Sequence, residues 1–247
     1  MIPLGDDLPT LRAPIMTYLL IALNVAVWIF VQGAGFDARQ LAKTVCDLGM
    51  VPGEITHLAP LGTSVPIGEG PPCVVNYGPI NPFTPLISMF LHGSWMHLLG
   101  NMLYLAVFGR NVEDSMGRLR FLAFYLLCGL IAAATHIAFN ASAAVPTVGA
   151  SGAISGVLGA FLVLYPTVPV RMFVFIFVVR VRAWLVLVYW FLLQALGGLS
   201  ELNQLHPEVS GGVAVWAHVG GFLAGVVLAR VFVDPDLVRT RLRTGWA

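Results

Sequence analysis

Gly149-Ala150-Ser151-Gly152-Ala153-Ile154-Ser155-Gly156-Val157-Leu158-Gly159-Ala160-Phe161-Leu162-Val163-Leu164-Tyr165-Pro166 passes from 149 to 166 without one charged side chain. A helix needs roughly 20 mainly apolar residues to cross the hydrocarbon core of a bilayer. The run is light in large side chains and rich in glycine and alanine. That composition suits a central helix packed closely against its neighbours. Five more apolar runs flank it, at 14–33, 85–109, 119–140, 183–200 and 213–233. Period-2 alternation reads as absent, so helices rather than a closed barrel are expected to satisfy the backbone in lipid. The expected fold is all-α: a polytopic membrane bundle of six transmembrane helices.

Composition agrees. The 247 residues are 58% hydrophobic and 10% charged, against about a quarter charged in soluble domains. A net charge of +1 decides nothing about nucleic acid, but the lack of a basic cluster that could track phosphates leaves it out as an expected partner. No metal and no cofactor are expected. The run from Pro14 to Val31 follows Asp6 and Asp7 and lacks a small-x-small cleavage site directly after it. It reads as an anchor rather than a cleavable signal.

Arginine and lysine give an orientation. With the N-terminus inside, the inner segments hold Arg12, Arg110, Arg118, Arg120, Arg171, Arg180, Arg182, Arg230, Arg239, Arg241 and Arg243, and the outer ones only Arg39 and Lys43. Both termini are expected in the cytoplasm and the chain in the plasma (cell inner) membrane. A cytoplasmic segment 1–13, a membrane domain 14–233 and a cytoplasmic tail 234–247 follow. The 34–84 loop, the 141–148 turn and the 201–212 loop would face outward. A loop of that length is either a partly structured cap or a functional surface. Cys46 and Cys73 lie in it, and a disulfide between them would require an oxidising compartment. The Arg110-Asn111-Val112-Glu113-Asp114 cluster reads as a solvated cytoplasmic turn.

Ionisable groups inside spans are costly and mark function by default. Each Asp, Glu and Lys here can sit in a loop or at a span edge, which leaves His92, His97, His136 and His218. Histidine can stay neutral in a dry site and still accept a proton near pH 7. The fourth and sixth spans enter from outside, and at 1.5 Å per residue Ser151 and His218 lie roughly 5–10 Å below the boundary. If the second span enters near His92, His97 shares that layer, with Asn101 one turn deeper. His97 and Asn101 are i and i+4, on one helix face, and both carry N–H donors. Gly149 can take strained dihedrals at the turn into the helix. Gly152-x-x-x-Gly156 and Gly221-x-x-x-Gly225 permit the close helix approach that general-base activation of a serine requires. Against this, a serine in a membrane helix commonly bonds the carbonyl one turn back, and a membrane histidine can be interhelical glue. His136 is expected to be structural, and His92 either a group behind the site or an interfacial one.

The segments Leu91-His92-Gly93-Ser94-Trp95-Met96-His97-Leu98-Leu99-Gly100-Asn101-Met102, Gly149-Ala150-Ser151-Gly152 and Ala217-His218-Val219-Gly220-Gly221 resemble those of the rhomboid intramembrane serine proteases, of the six-span bacterial type. The resemblance covers about residues 14–233. It implies Ser151 as nucleophile and His218 as general base, with His97, Asn101 and the Ser151 backbone N–H as the oxyanion hole beside Gly149. It also implies a lateral gate at about 184–216 and single-span transmembrane proteins as substrates within the lipid bilayer. Two departures stand out. Asn81-Pro82-Phe83-Thr84-Pro85 occupies the place of a Trp-Arg pair, and Ser155 stands where some members stack a tyrosine on the histidine. With no acidic residue in reach, a dyad is expected, the imidazole being oriented by helix packing. A transporter would predict broken helices in symmetric halves and a mid-bilayer charge, and neither is evident. A non-catalytic client-binding relative would usually lack the serine or the histidine.

Overall fold

The computed structural model describes residues 2–76, 78, 81–202 and 214–243. Strand β1 (Ile2–Asp6) precedes helix α1 (Ile15–Ala26), which runs on as a π-helical turn to Val31. The following segment carries α2 (Ala38–Leu48), the single turn α3 (Pro52–Ile55) and a hairpin of β2 (Ser64–Val65) with β3 (Cys73–Val74). The short α4 (Thr84–Ile87) leads to α5 (Trp95–Tyr104), which passes through a π-turn into α6 (Arg110–Met116). Helices α7 (Arg118–Phe139) and α8 (Ser151–Leu164) come next, then strands β4 (Pro169–Val174) and β5 (Phe177–Arg182). Helices α9 (Ala183–Leu202), α10 (Val215–Phe232) and α11 (Pro235–Arg243) complete the order.

Among the described residues, three helices are long and apolar enough to cross a membrane: Arg118–Phe139, Ala183–Ser200 and Val215–Phe232. Two of the other expected spans form shorter apolar helices, Ile15–Val31 and Ser151–Leu164. The run at 85–109 is interrupted. Leu91 is extended, and Ser94 caps the new helix by accepting from the His97 N–H at 3.1 Å. The cause is Gln32, whose side-chain amide accepts from the His92 N–H at 2.8 Å and donates to the His92 carbonyl at 2.7 Å. With those groups engaged, a helix cannot run through, and α5 restarts at Trp95. The 201–212 loop and the last residues of the tail fall largely outside the described residues.

The all-α expectation needs correction, because β1, β4 and β5 form an antiparallel sheet in the order β1-β4-β5. The period-2 signal is present in 169–174: Val170 and Met172 are buried while Arg171 and Phe173 are not. The stretch lies between two apolar runs, where the hydropathy pattern conceals it. Asp7 reaches Arg171 at 3.5 Å and Arg180 at 3.3 Å across this sheet.

The 110–114 cluster is also not a solvated turn. Glu113 is buried, and its carboxylate accepts from the Met16 N–H at 3.0 Å and the Thr17 N–H at 2.7 Å. It caps α1, where first-turn N–H groups lack helical partners. Asp114 accepts from the Leu11 N–H at 2.9 Å and pairs with Arg12. Arg110 and Asn111 both donate to the buried Asp6. The N-terminal segment is thereby tied to the α5–α6 helix.

The described residues of the 34–84 segment are folded, with α2, α3 and the β2–β3 hairpin. A disulfide joins Cys46 to Cys73, with Cα atoms 5.3 Å apart. The segment grips the 141–148 turn: the Gly53 N–H donates to the Ala143 carbonyl at 2.8 Å, and Met50 pairs with Thr147. Thr147 in turn bonds His136 Nε2 at 3.0 Å. His136 therefore holds a turn in place, two residues before Gly149.

Candidate active site

The centre of the molecule is the contact between α8 and α10. A Cβ on Gly221 would strike the Gly152 carbonyl, and one on Gly225 the Gly156 carbonyl. On the other side of α8, a Cβ at Gly152 would lie 2.7 Å from Ala132 Cβ of α7. The two four-residue glycine spacings read in the sequence thus face one another, and only hydrogen at these positions permits such separation.

This contact brings Ser151 to His218. Ser151 Oγ lies 2.7 Å from His218 Nε2. Ser151 begins α8, so its hydroxyl does not bond back along the helix. That bond is made by Ser155, whose hydroxyl donates to the Ser151 carbonyl at 2.6 Å. The Ser151 N–H lies in the first helical turn, where no intrahelical carbonyl is available. Gly149 leads in with φ of 128°, in a region side chains disfavour. Space enforces the same choice: a Cβ there would lie 2.8 Å from His97 Cε1 and Nε2, and 3.6 Å from Ser151 Oγ. The His97 ring edge and the serine hydroxyl therefore border one space.

Two further donors line it. His97 Nδ1 accepts from the Gly93 N–H at 3.4 Å. That contact suits a proton on Nε2, which faces Gly149. Asn101 is buried, and its side-chain N–H₂ has no hydrogen-bond partner in the structure. Both residues border a cavity of about 290 Å³ that also contains Ser151, Trp190 and His218. An unpaired buried donor is costly unless a ligand completes it. His92 is fully buried behind His97, the rings 5.1 Å apart and edge-on.

One residue at the site escaped sequence reasoning. His218 Nδ1 lies 2.9 Å from Gln194 Oε1 on α9, and the Trp190 ring centre is 5.8 Å from that of His218. The imidazole therefore has a side-chain partner in addition to helix packing. A search for ionisable groups in apolar runs passes over a neutral amide, yet an amide amid Trp190-Phe191-Leu192-Leu193 and Ala195-Leu196 was a legible signal. The remainder of the expected lateral gate, 203–213, lies outside the described residues. Among the described residues, no group of three or more His, Cys, Asp or Glu side chains is arranged to hold a metal.

Comparison with known proteins adds the lineage. The Rhomboid domain model matches residues 82–235, which contain all three motifs. The chain is 30% identical over 152 residues to RHOMBOID-like protein 1 of Arabidopsis thaliana, covering 59% of this chain and 33% of that protein. It is 34% identical over 92 residues to the mitochondrial Rhomboid protein 1 of Saccharomyces cerevisiae, covering 36% and 27%. It is 38% identical over 89 residues to Rhomboid-like protease 5 of Toxoplasma gondii, covering 36% and 10%. The match therefore spans a third or less of each of these relatives. With a family model covering more than half its length and the motif-bearing helices in contact, the chain belongs to the rhomboid family.

Proposed function

We infer that this protein is an intramembrane serine endopeptidase acting through Ser151 and His218. The 2.7 Å approach of Ser151 Oγ to His218 Nε2 carries the reading, because it is the distance at which an imidazole can take a hydroxyl proton. His218 accepts that proton as Ser151 attacks the scissile carbonyl, then donates it to the leaving amine. The acyl-enzyme left on Ser151 is hydrolysed by water activated in the same way. The developing oxyanion is met by His97 Nε2–H, the Asn101 amide and the Ser151 N–H. Gly149 keeps the space between them free.

The substrates are single-span transmembrane proteins in the lipid bilayer. A substrate helix must unwind before its carbonyl is exposed, since its backbone is self-satisfied in lipid. Glycine and other weak helix formers near the cut favour that step. We read the membrane domain as 14–233 with six spans, the interrupted second span being α5 with α6. Short ends 1–13 and 234–247 lie on the cytoplasmic side of a plasma (cell inner) membrane. The eleven-to-two arginine and lysine bias supports this orientation, and the Cys46–Cys73 disulfide supports an oxidising compartment on the opposite side. Cleavage would then take place near the outer face.

The test is direct. A fluorophosphonate probe should label the wild-type protein at Ser151. Ser151→Ala and His218→Ala, each reconstituted with a model single-span substrate, should lose cleavage by a factor on the order of 10⁴ or more. Wild-type cleavage by either variant would refute the dyad.

A further inference from the structure

Helix α9 differs from the other helices around the site. Its apolar span is 22% buried, against 50% for α10. Leu192, Leu193, Leu196 and Leu199 all point outward from the bundle, each about half exposed or more. Yet this least embedded helix carries the group that bonds His218 Nδ1, the Gln194 side-chain oxygen at 2.9 Å.

We propose that Gln194 is a positioning residue that holds His218 in its productive tautomer only while α9 is docked. The deduction rests on the Ser151–His218 reading and on imidazole chemistry. A neutral imidazole has one N–H and one lone pair, and the hydrogen bond at one nitrogen decides which lies at the other. The oxygen of Gln194 can only accept, so it selects Nδ1–H. Nε2 is then left with its lone pair facing the Ser151 hydroxyl. As Ser151 attacks, its proton passes to Nε2 and the imidazolium carries N–H on both nitrogens. The Nδ1 proton stays on the ring, still bonded to Gln194, and returns to its former role when Nε2 gives its proton to the leaving amine. No proton enters the amide, so Gln194 orients but does not exchange. Its place resembles that of the third member of a Ser-His-Asp triad without the charge.

Ser151 and His218 sit on helices locked together backbone to backbone by Gly152, Gly156, Gly221 and Gly225. Gln194 sits on a helix without such a clasp to α8. A sideways displacement of α9, as entry of a substrate helix from the lipid would require, leaves the Ser151–His218 pair in place and removes the Nδ1 acceptor.

The experiment compares Gln194→Met, similar in length but a poor acceptor, and Gln194→Glu, which keeps an acceptor. Fluorophosphonate labelling of Ser151 is followed alongside kcat and KM for a single-span substrate, in the full-length protein in proteoliposomes. Gln194→Met should lower both the labelling rate and kcat by about tenfold, the value of one neutral hydrogen bond, with KM within about twofold. Gln194→Glu should recover most of the labelling rate. A Gln194→Met protein with wild-type labelling and kcat overturns the proposal. So does a Gln194→Glu protein as impaired as Gln194→Met, because loss without rescue marks a packing role. If Gln194→Met does not fold, the same criterion is applied to Gln194→Asn, too short to reach Nδ1, against Gln194→Glu. Ser151→Ala separates the two claims: cleavage surviving in Ser151→Ala defeats the protease reading. Full dependence on Ser151 with indifference to residue 194 defeats only this inference.

Discussion

Helices α8 and α10 on one side, and α9 on the other, hold the same site by opposite means. Between α8 and α10 the contacts are glycine against carbonyl, and no side chain separates the backbones. Helix α9 meets α10 through large rings: Phe191 stacks on Phe222 at 4.7 Å, and Trp190 lies 5.8 Å from His218 and 6.0 Å from Phe222. Backbone contact between small residues leaves little freedom to slide, since any shift creates overlap or a void. Aromatic packing on a half-exposed helix tolerates repacking. The hydroxyl and imidazole thus rest on the rigid pair, and the group that orients the imidazole on the adaptable one.

That contrast can be broken most severely at its rigid end. Gly225→Leu forces a side chain into the Gly156 carbonyl. It should destabilise the protein by more than about 3 kcal/mol, beyond ordinary overpacking because the obstacle is backbone. Activity should disappear with it, read by thermal unfolding in detergent together with cleavage. A well-folded, active Gly225→Leu protein would mean that α8 and α10 do not depend on this contact.

Asn101→Ala acts on the site without disturbing either helix pair. It deletes a buried donor that has no partner in the structure. Cleavage should fall by about 10² to 10³, as for loss of one oxyanion donor. Stability should hold or rise slightly, because an unsatisfied group is removed. A variant with lost stability and preserved kcat would assign Asn101 to the scaffold instead. The smallest effect belongs to the lipid-facing side of α9. Leu196, 62% exposed, should tolerate Leu196→Ala with a change below about 0.5 kcal/mol in stability. A large loss there would show that α9 is held more firmly than its burial implies.

Much of this was legible in the residues themselves. Apolar runs without charge announce helices for a membrane, since lipid allows few alternatives to them. Ser151, His97, Asn101 and His218 could be singled out because depth along a helix follows from counting residues at 1.5 Å each. Gly149 announced a turn, and the paired glycine spacings announced close packing. Glu113 and Asp6 escaped because a charge in a short connecting stretch reads as solvated until another segment's N–H groups are brought against it. Strand β1 escaped because its partner β4 is about 165 residues away, and a strand needs a partner that local pattern does not name, whereas the adjacent β4–β5 hairpin escaped because it lies between two apolar runs.

By itself, then, the chain determined what each segment is chemically suited to: which stretches belong in hydrocarbon, which side chains can donate, accept or attack, and where the backbone can bend. Those properties are local, fixed by composition and helical period. Tertiary structure alone decided that Gln194 meets His218, that Gln32 ends one helix and starts another, and that Glu113 caps α1. Each is a hydrogen bond between residues distant in sequence, and such a bond exists only where packing has brought two matching groups within about 3 Å.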